Sequence, residues 1–385
     1  MIAPELAPTS QAEGLRLPPT AIVHDYFVQD GGAERVAIEF ARMFPRASIY
    51  TSVFDAGVFG SRISVDRVRS WPPLTSRLIG PRFRVLALAY AAYFDQLRPT
   101  TDSDNRRLEL VISSSSAFTK AVRSPRGAFH AAYVYSPMRF AWDPESYLDG
   151  SHAPRLLQAS LRASAPLLRR WDRSTARRPD LVIAISRTVR DRIGEVWDRD
   201  AEVIYPPVDT HEFAHANADP EDYYLVAARM LAYRRIADAV RACTNLGRRL
   251  VVIGDGPERV HLHDLGGPTV TFLGRVSRPE LVHHVLRCRA YLVPGVEDFG
   301  IAPVEAMAAG RPVITVGQGG GAETVLDGVT GVHYPSTGVD SLQNAILRFE
   351  SMEFHTAAAR ARAEEFSLEQ FQRRFMAALA RAGAI

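Results

Sequence analysis

The chain has 385 residues, of which 46% are hydrophobic and 23% charged, with a formal net charge of +3. That composition excludes a disordered or fibrous protein, and the length is enough for two domains with separate cores. Cys243 and Cys288 are the only cysteines, which leaves no disulfide framework and fits a reducing cytosol. The longest apolar run, residues 85–94, is too short to span a bilayer, and the polar start lacks a signal-peptide pattern. A soluble cytoplasmic protein with a flexible segment 1–17 is expected.

Short β-like runs alternate with helical patterns, the signature of parallel sheets covered by helices on both faces. In the first half, strands are expected at 21–24, 47–51, 108–112, 130–135 and 181–185. Directly after the first of these, HDYFVQDGGAERV (24–36) sets Gly31 and Gly32 between a strand and a helix. Glycines there let backbone N–H groups approach a phosphate or sugar, although a plain tight turn uses the same residues. Seven arginines fall between 155 and 178, among leucines at helical spacing. Such a basic amphipathic helix either rests on an anionic membrane surface or is a solvated helix packed on a core, and Asp172 and Asp180 partly offset its charge. Aromatic residues are not interleaved with the basic ones, which argues against nucleic-acid binding.

The segment 205–222, YPPVDTHEFAHANADPED, carries three prolines and many polar residues and reads as a linker between an N-terminal domain, 18–204, and a C-terminal domain, 223–365. Strands are expected at 224–227, 250–253, 270–273, 290–293 and 313–316. The first is followed by a turn bearing Arg229, Arg234 and Arg235, and the second by a GDGP turn. Arg259 stands where a dinucleotide fingerprint requires its third glycine, so NAD binding is disfavoured. QGGGAE (318–323) is another glycine-rich strand-to-helix turn.

EDFGIAPVEAMAAGRP (297–312) says most about function. Residues 294–302 read as a loop and 303–309 as a short helix, with Pro303 at its first position and Gly310 ending it. Glu297 then sits above the carboxyl end of a strand and Glu305 in the first turn of the helix. Ligands of open α/β sheets bind at that edge, and a helix start offers N–H donors to an anion. The strings around Asp102 and Asp104, and Asp198 and Asp200, follow no convincing buried strand. His261, His263, His283 and His284 lack ligand companions. All are read as surface features, and no metal site is expected.

The two glutamates, the FG between them and the EAMA-G-PV continuation resemble the signature of retaining glycosyltransferase family 4. The segments HDYFVQDGGAERV, VISSSSAFTKAV (111–122), YVYSPMRFAWD (133–143), RRPDLVIAISRTV (177–189) and AEVIYPPVD (201–209) look like bacterial polysaccharide mannosyltransferases of that family. The resemblance covers nearly the whole chain and implies an α/β GT-B fold, two Rossmann-like domains facing across a cleft, with residues 366–385 forming a helix that crosses back. It implies a nucleotide-sugar co-substrate, GDP-mannose in the first place, with no other cofactor and no metal. Arg229 and Arg234 would grip the diphosphate, Arg234 replacing the family's lysine, which is not a neutral exchange, with the neighbouring Arg235 sharing the role. Glu297 would orient the donor sugar and Glu305 the ribose. Phe299, Gly300, Ile301, Gly31 and Gly32 would lie along the donor, and Arg275 and Val276 against the base. Tyr135, Ser136 and Arg139 would sit in the donor-sugar or acceptor region. A glycan, lipid-linked or small-molecule acceptor, and contact with the inner membrane face, follow from the same resemblance. Three positions depart from it: Tyr135 and Ser116 stand where histidine is usual, and Ile185 where asparagine is frequent. These departures keep open a 6-deoxyhexose donor and a catalytically silent binding protein. A nucleotide-sugar epimerase on the same fold is a further alternative.

Overall fold

The computed structural model describes residues 17–71, 87–144, 155–214 and 218–385. Its described residues form two fully parallel sheets. The first comprises β1 (Thr20–His24), β2 (Ser48–Thr51), β3 (Val68–Arg69), β4 (Leu110–Ser115), β5 (Phe129–Val134), β6 (Leu181–Ala184) and β7 (Glu202–Val203), in the order β3-β2-β1-β4-β5-β6-β7. The second comprises β8 (Tyr224–Ala227), β9 (Leu250–Ile253), β10 (Val270–Gly274), β11 (Ala290–Val293), β12 (Val313–Val316) and β13 (Gly331–Tyr334), in the order β10-β9-β8-β11-β12-β13. Strand order therefore reverses at β1/β4 and at β8/β11, and crevices at such points are where ligands of doubly wound sheets bind.

The central strands are short apolar runs buried on both faces and bounded by glycine and proline turns, whereas β3, β7 and β10 at the sheet edges are partly exposed. β4 continues past residue 112 through three serines, although serine favours turns. Its central place forces their burial, and the hydroxyls find partners: Ser113 Oγ lies 2.9 Å from His130 Nε2, and Ser114 Oγ 2.9 Å from His24 Nδ1. Burial lowers the pKa of His24 to about 4. Burial, with the Arg178 charge nearby, lowers that of His130 to about 3. Both rings are neutral polar struts at physiological pH. The sequence reading misses β3 and β7, whose two residues each are too few to carry a pattern, and β13, whose GVHY run breaks its apolar residues with a glycine and a histidine.

Within the expected linker, the helix His211–Ala214 forms, and Glu212 pairs with Arg278. The last helix, Leu368–Arg381, lies on the first sheet's layer, packing the tilted ring of Phe375 on Phe40 at 4.7 Å and setting Phe371 edge-on against Tyr133 at 5.7 Å. The basic stretch is helical over Arg155–Thr175. Leu161 and Leu168 enter the core, and Arg169 and Arg173 lie over the Trp142 ring. The segment 1–17 lies outside the described residues except for Leu17, which packs against the core. Among the described residues no helix is long and apolar enough to cross a membrane.

Candidate active site

The carboxyl ends of β1, β5, β8 and β11 line a cleft of about 480 Å³ shared by the two sheets, and its walls include Gly31, Gly32, Tyr135, Arg229, Glu297 and Gly300. Arg229 leaves β8 between two anchored residues: the Ala228 N–H donates to Ile253 O and the Met230 N–H to Asp255 O, each at 3.0 Å. Its own side chain is exposed and has no hydrogen bond or ion pair among the described residues. Arg234 reaches the same cleft because Gly295 lets two turns pack closely; a Cβ there would lie 2.5 Å from the Tyr233 carbonyl oxygen. The guanidinium pairs with Glu297, while its buried Nε donor has no partner among the described residues. Arg139, from the opposite wall, lies over the Tyr233 ring at 5.4 Å, and Arg234 lies over it at 5.2 Å. Arg235 does not share this place. It takes a left-handed turn, φ 52°, and bonds Asp238 at 2.7 Å.

The short helix runs over Ile301–Ala308, so it starts two residues earlier than expected, at a left-handed Gly300 with φ 87°. Its first-turn N–H groups belong to Ile301 and Ala302, and both residues face the cleft. Glu305 consequently falls beyond the first turn. It is buried, and its Oε1 accepts from Arg35 Nη1 of the first sheet's layer at 3.1 Å and from Arg278 Nη2 at 2.7 Å. The carboxylate is therefore also a tie between the two halves of the molecule.

Tyr135 presents its ring to the cleft and turns its hydroxyl inward. That oxygen lies 2.8 Å from Ser114 Oγ and donates to the Ala33 carbonyl at 3.0 Å. The single arrangement that satisfies every partner runs from His24 Nδ1–H to Ser114, from Ser114 to Tyr135, and from Tyr135 to Ala33. Burial keeps the phenol neutral by raising its pKa well above the ordinary value. Serine in place of histidine at 116 has no structural explanation in its backbone contact: the Ser116 N–H, with those of Ala117 and Phe118, binds the buried carboxylate of Asp25. Burial nonetheless raises the Asp25 pKa. Glu34, beside it on the helix Gly32–Met43, is raised to about 7, by burial first and then by the nearby Asp30 and Asp25 charges. Neither carboxylate was singled out from the sequence, because only the fold brings them together under the glycine turn.

Three expected site residues lie elsewhere. Arg275 is 83% exposed, with Asp255 at 3.7 Å, and Val276 packs against the core; neither lines the cleft. Ser136 is buried and accepts from Arg192 at 2.8 Å. Gly319 and Gly320 of QGGGAE pack on the backbone of Glu297 and Phe299, and Gly321 on the Thr315 side chain; the Gly320 N–H donates to Glu297 O at 2.7 Å. Among the described residues no group of three or more His, Cys, Asp or Glu is placed to hold a metal ion. Asp102, read as a surface residue, is buried and staples its own loop by accepting from Asp104 N, Arg106 N and the Arg106 guanidinium. His284 is half-buried against Tyr223.

The model of "Glycosyltransferase Family 4" matches residues 30–212, and that of "Glycosyl transferases group 1" matches residues 208–366. The chain is 32% identical over 198 residues to a "GDP-mannose-dependent alpha-(1-6)-phosphatidylinositol monomannoside mannosyltransferase" of Mycolicibacterium smegmatis, a match spanning 43% of this chain and 52% of that protein. It is 30% identical over 230 residues to the enzyme of the same name from Mycobacterium tuberculosis, spanning 52% of this chain and 59% of that one. The chain thus spans about half the length of the curated relatives it matches. Among solved structures, the Anabaena protein HepE in complex with UDP superposes with a TM-score of 0.65 at 16% identity, covering 94% of this chain and all of HepE. Sucrose-phosphate synthase of Thermosynechococcus elongatus superposes with a TM-score of 0.64 at 17% identity, covering 95% of this chain and 98% of the other. At such identities the likeness concerns the fold.

Proposed function

Because the chain belongs to the glycosyltransferase family that these two models describe, and has the GT-B fold, we propose that it transfers a hexose from a nucleotide sugar to a glycan, glycolipid or small-molecule acceptor, retaining the anomeric configuration. The observation that carries this reading is the meeting of Arg229, Arg234, Glu297 and the helix start at Ile301 in one cleft at two sheet switch points. Mannose from GDP-mannose is the favoured donor, supported by the names of the mycobacterial relatives.

In the proposed reaction the bond from sugar C1 to the phosphate oxygen breaks, and its electron pair stays on the diphosphate. The acceptor oxygen bonds to C1 from the same face and gives its proton to a phosphate oxygen. Arg229, Arg234 and the N–H groups of Ile301 and Ala302 meet the charge that grows on the leaving diphosphate. These donors supply the neutralisation, so the reaction runs without a divalent cation. Glu297, held by Arg234, orients the sugar hydroxyls, and Glu305 faces the ribose from between Arg35 and Arg278.

One observation favours a second donor. The Tyr135 hydroxyl is engaged by Ser114 and Ala33, which leaves the ring as an apolar wall suited to a 6-deoxyhexose methyl group. The test is to incubate the protein in EDTA with GDP-mannose, a GDP-6-deoxyhexose or UDP-glucose and a panel of acceptors, reading products by mass spectrometry. Hexose transfer from GDP-mannose supports the main reading, and preferred transfer from the deoxy donor supports the second. An isomerised donor without acceptor, or binding without turnover, refutes both.

A further inference from the structure

The helix Arg187–Trp197 carries the first sheet's β6 layer, and its cap Ser186 uses its hydroxyl on the Val189 N–H at 3.1 Å. Two other N–H groups of the helix start are taken by a carboxylate from the opposite half of the molecule. Glu323 Oε2 accepts from Arg187 N at 2.7 Å, and its Oε1 accepts from Thr188 N at 2.8 Å and Thr188 Oγ1 at 2.7 Å; the Tyr205 hydroxyl adds a bond to Oε2 at 3.1 Å. A carboxylate on a helix start gains from charge-assisted bonds and from the helix dipole. This cap can form only while the two sheet layers are held together.

Glu323 is also coupled to the cleft. Its helix, Gly319–Thr324, lies directly on the loop that bears Glu297, where a Cβ at Gly320 would come within 2.2 Å of Phe299 Cα. Arg362 fixes the end of that helix by donating to the carbonyls of Glu323 at 2.6 Å and Thr324 at 2.9 Å. A second link runs parallel to the first: Arg192, on the capped helix, donates to Asp298 at 2.9 Å, next to Glu297.

We propose that Glu323 is a positioning residue that latches the closed cleft, capping the helix Arg187–Trp197 across the two layers and so holding the Glu297–Phe299 loop at the spacing transfer requires. This rests on the glycosyl-transfer reading. Contacts to the nucleotide within the C-terminal half do not depend on the latch, so its loss falls on turnover rather than on nucleotide affinity.

The test breaks the contact from each side. Glu323→Ala removes the carboxylate. Arg187→Pro removes one N–H at the first helical position, which accepts proline, after an extended Ser186 with ψ 166°. Glu323→Ala is expected to lower kcat by roughly 10- to 100-fold, the scale of a small misplacement of reacting groups, and Arg187→Pro, which removes one of the four bonds to that carboxylate, to lower it by less. The calorimetric Kd for GDP should stay within about twofold, and the radius of gyration by X-ray scattering should increase. The double variant should be little worse than Glu323→Ala alone, because the bond that Arg187→Pro removes is one of the four that the alanine already removes, and Glu323→Gln, which keeps one acceptor oxygen, should fall between Ala and wild type. Unchanged kcat in a folded variant, a matching loss of GDP affinity, or effects that multiply in the double variant overturn the latch. Should no donor be turned over by wild type, the glycosyl-transfer reading fails by itself, and the scattering still decides the latch: an unchanged radius of gyration in Glu323→Ala refutes it.

Discussion

Arg229→Ala separates catalysis from stability more sharply than any other change in the cleft. The side chain is exposed, and among the described residues it makes no ion pair or hydrogen bond, so folding loses little when it is truncated. Substitutions of that kind cost within about 0.5 kcal/mol, and for domains of this size 0.5 kcal/mol moves Tm by about 2 °C or less. Its proposed part in the reaction is different in scale. Removing one preorganised donor from a site of developing negative charge costs about 100- to 1,000-fold in kcat, or roughly 3–4 kcal/mol. The assay compares Tm by calorimetry with kcat from release of free nucleotide, using GDP-mannose and an acceptor at saturation. A variant with native Tm and a turnover at least about 100-fold lower is the expected result. Native Tm with near-native turnover refutes the diphosphate assignment. A large fall in Tm refutes the claim that Arg229 has no structural part.

Three further outcomes follow from the geometry. Glu305→Ala removes the carboxylate that joins Arg35 and Arg278, which then keep Asp30 and Glu212 as ion-pair partners, and should lower the unfolding free energy by about 1–3 kcal/mol; an unchanged denaturant midpoint contradicts the tie between the halves. Glu34 has a folded pKa of about 7 against an ordinary 4.5, so the folded state holds its proton the more tightly, and the cost of ionising it is absent below pH 4.5 and complete above pH 7. Glu34→Gln should therefore stabilise the protein at pH 8 by on the order of 3 kcal/mol and make no difference at pH 4, as read by urea unfolding; equal stability at pH 8 rejects the burial argument. Tyr135→Phe breaks the bonds to Ser114 and Ala33 and should cost about 1–2 kcal/mol while leaving the preference between mannose and deoxyhexose donors intact; a changed donor preference shows that the hydroxyl reaches the sugar.

What was legible in the sequence was whatever a local pattern determines. The central strands of the second sheet, β8, β9, β11 and β12, lie at the residues their apolar runs indicate, because both faces are buried and turns bound them tightly. Arg229, Arg234 and Glu297 read as cleft residues because each follows a strand's carboxyl end, and the sheet topology brings those ends together. Contacts between segments distant in the chain were not legible. Nothing in QGGGAE indicates that Glu323 caps a helix some 136 residues away, or in GGAERV that Arg35 binds Glu305 at a separation of 270. Asp25 looks like a solvated acid until the turn after β4 closes on it, and Glu34 until its helix packs and buries it. Arg275 was placed at the base by family resemblance alone, and nothing local in the sequence shows which way its turn aims it: the side chain is exposed beside Asp255, outside the cleft.

The stereochemical outcome of transfer tests the central claim most directly. With GDP-α-mannose and a competent acceptor, in EDTA, NMR of the isolated product should show an α-linkage, as a same-face displacement assisted by Arg229 and Arg234 requires. A β-linked product contradicts the proposed mechanism.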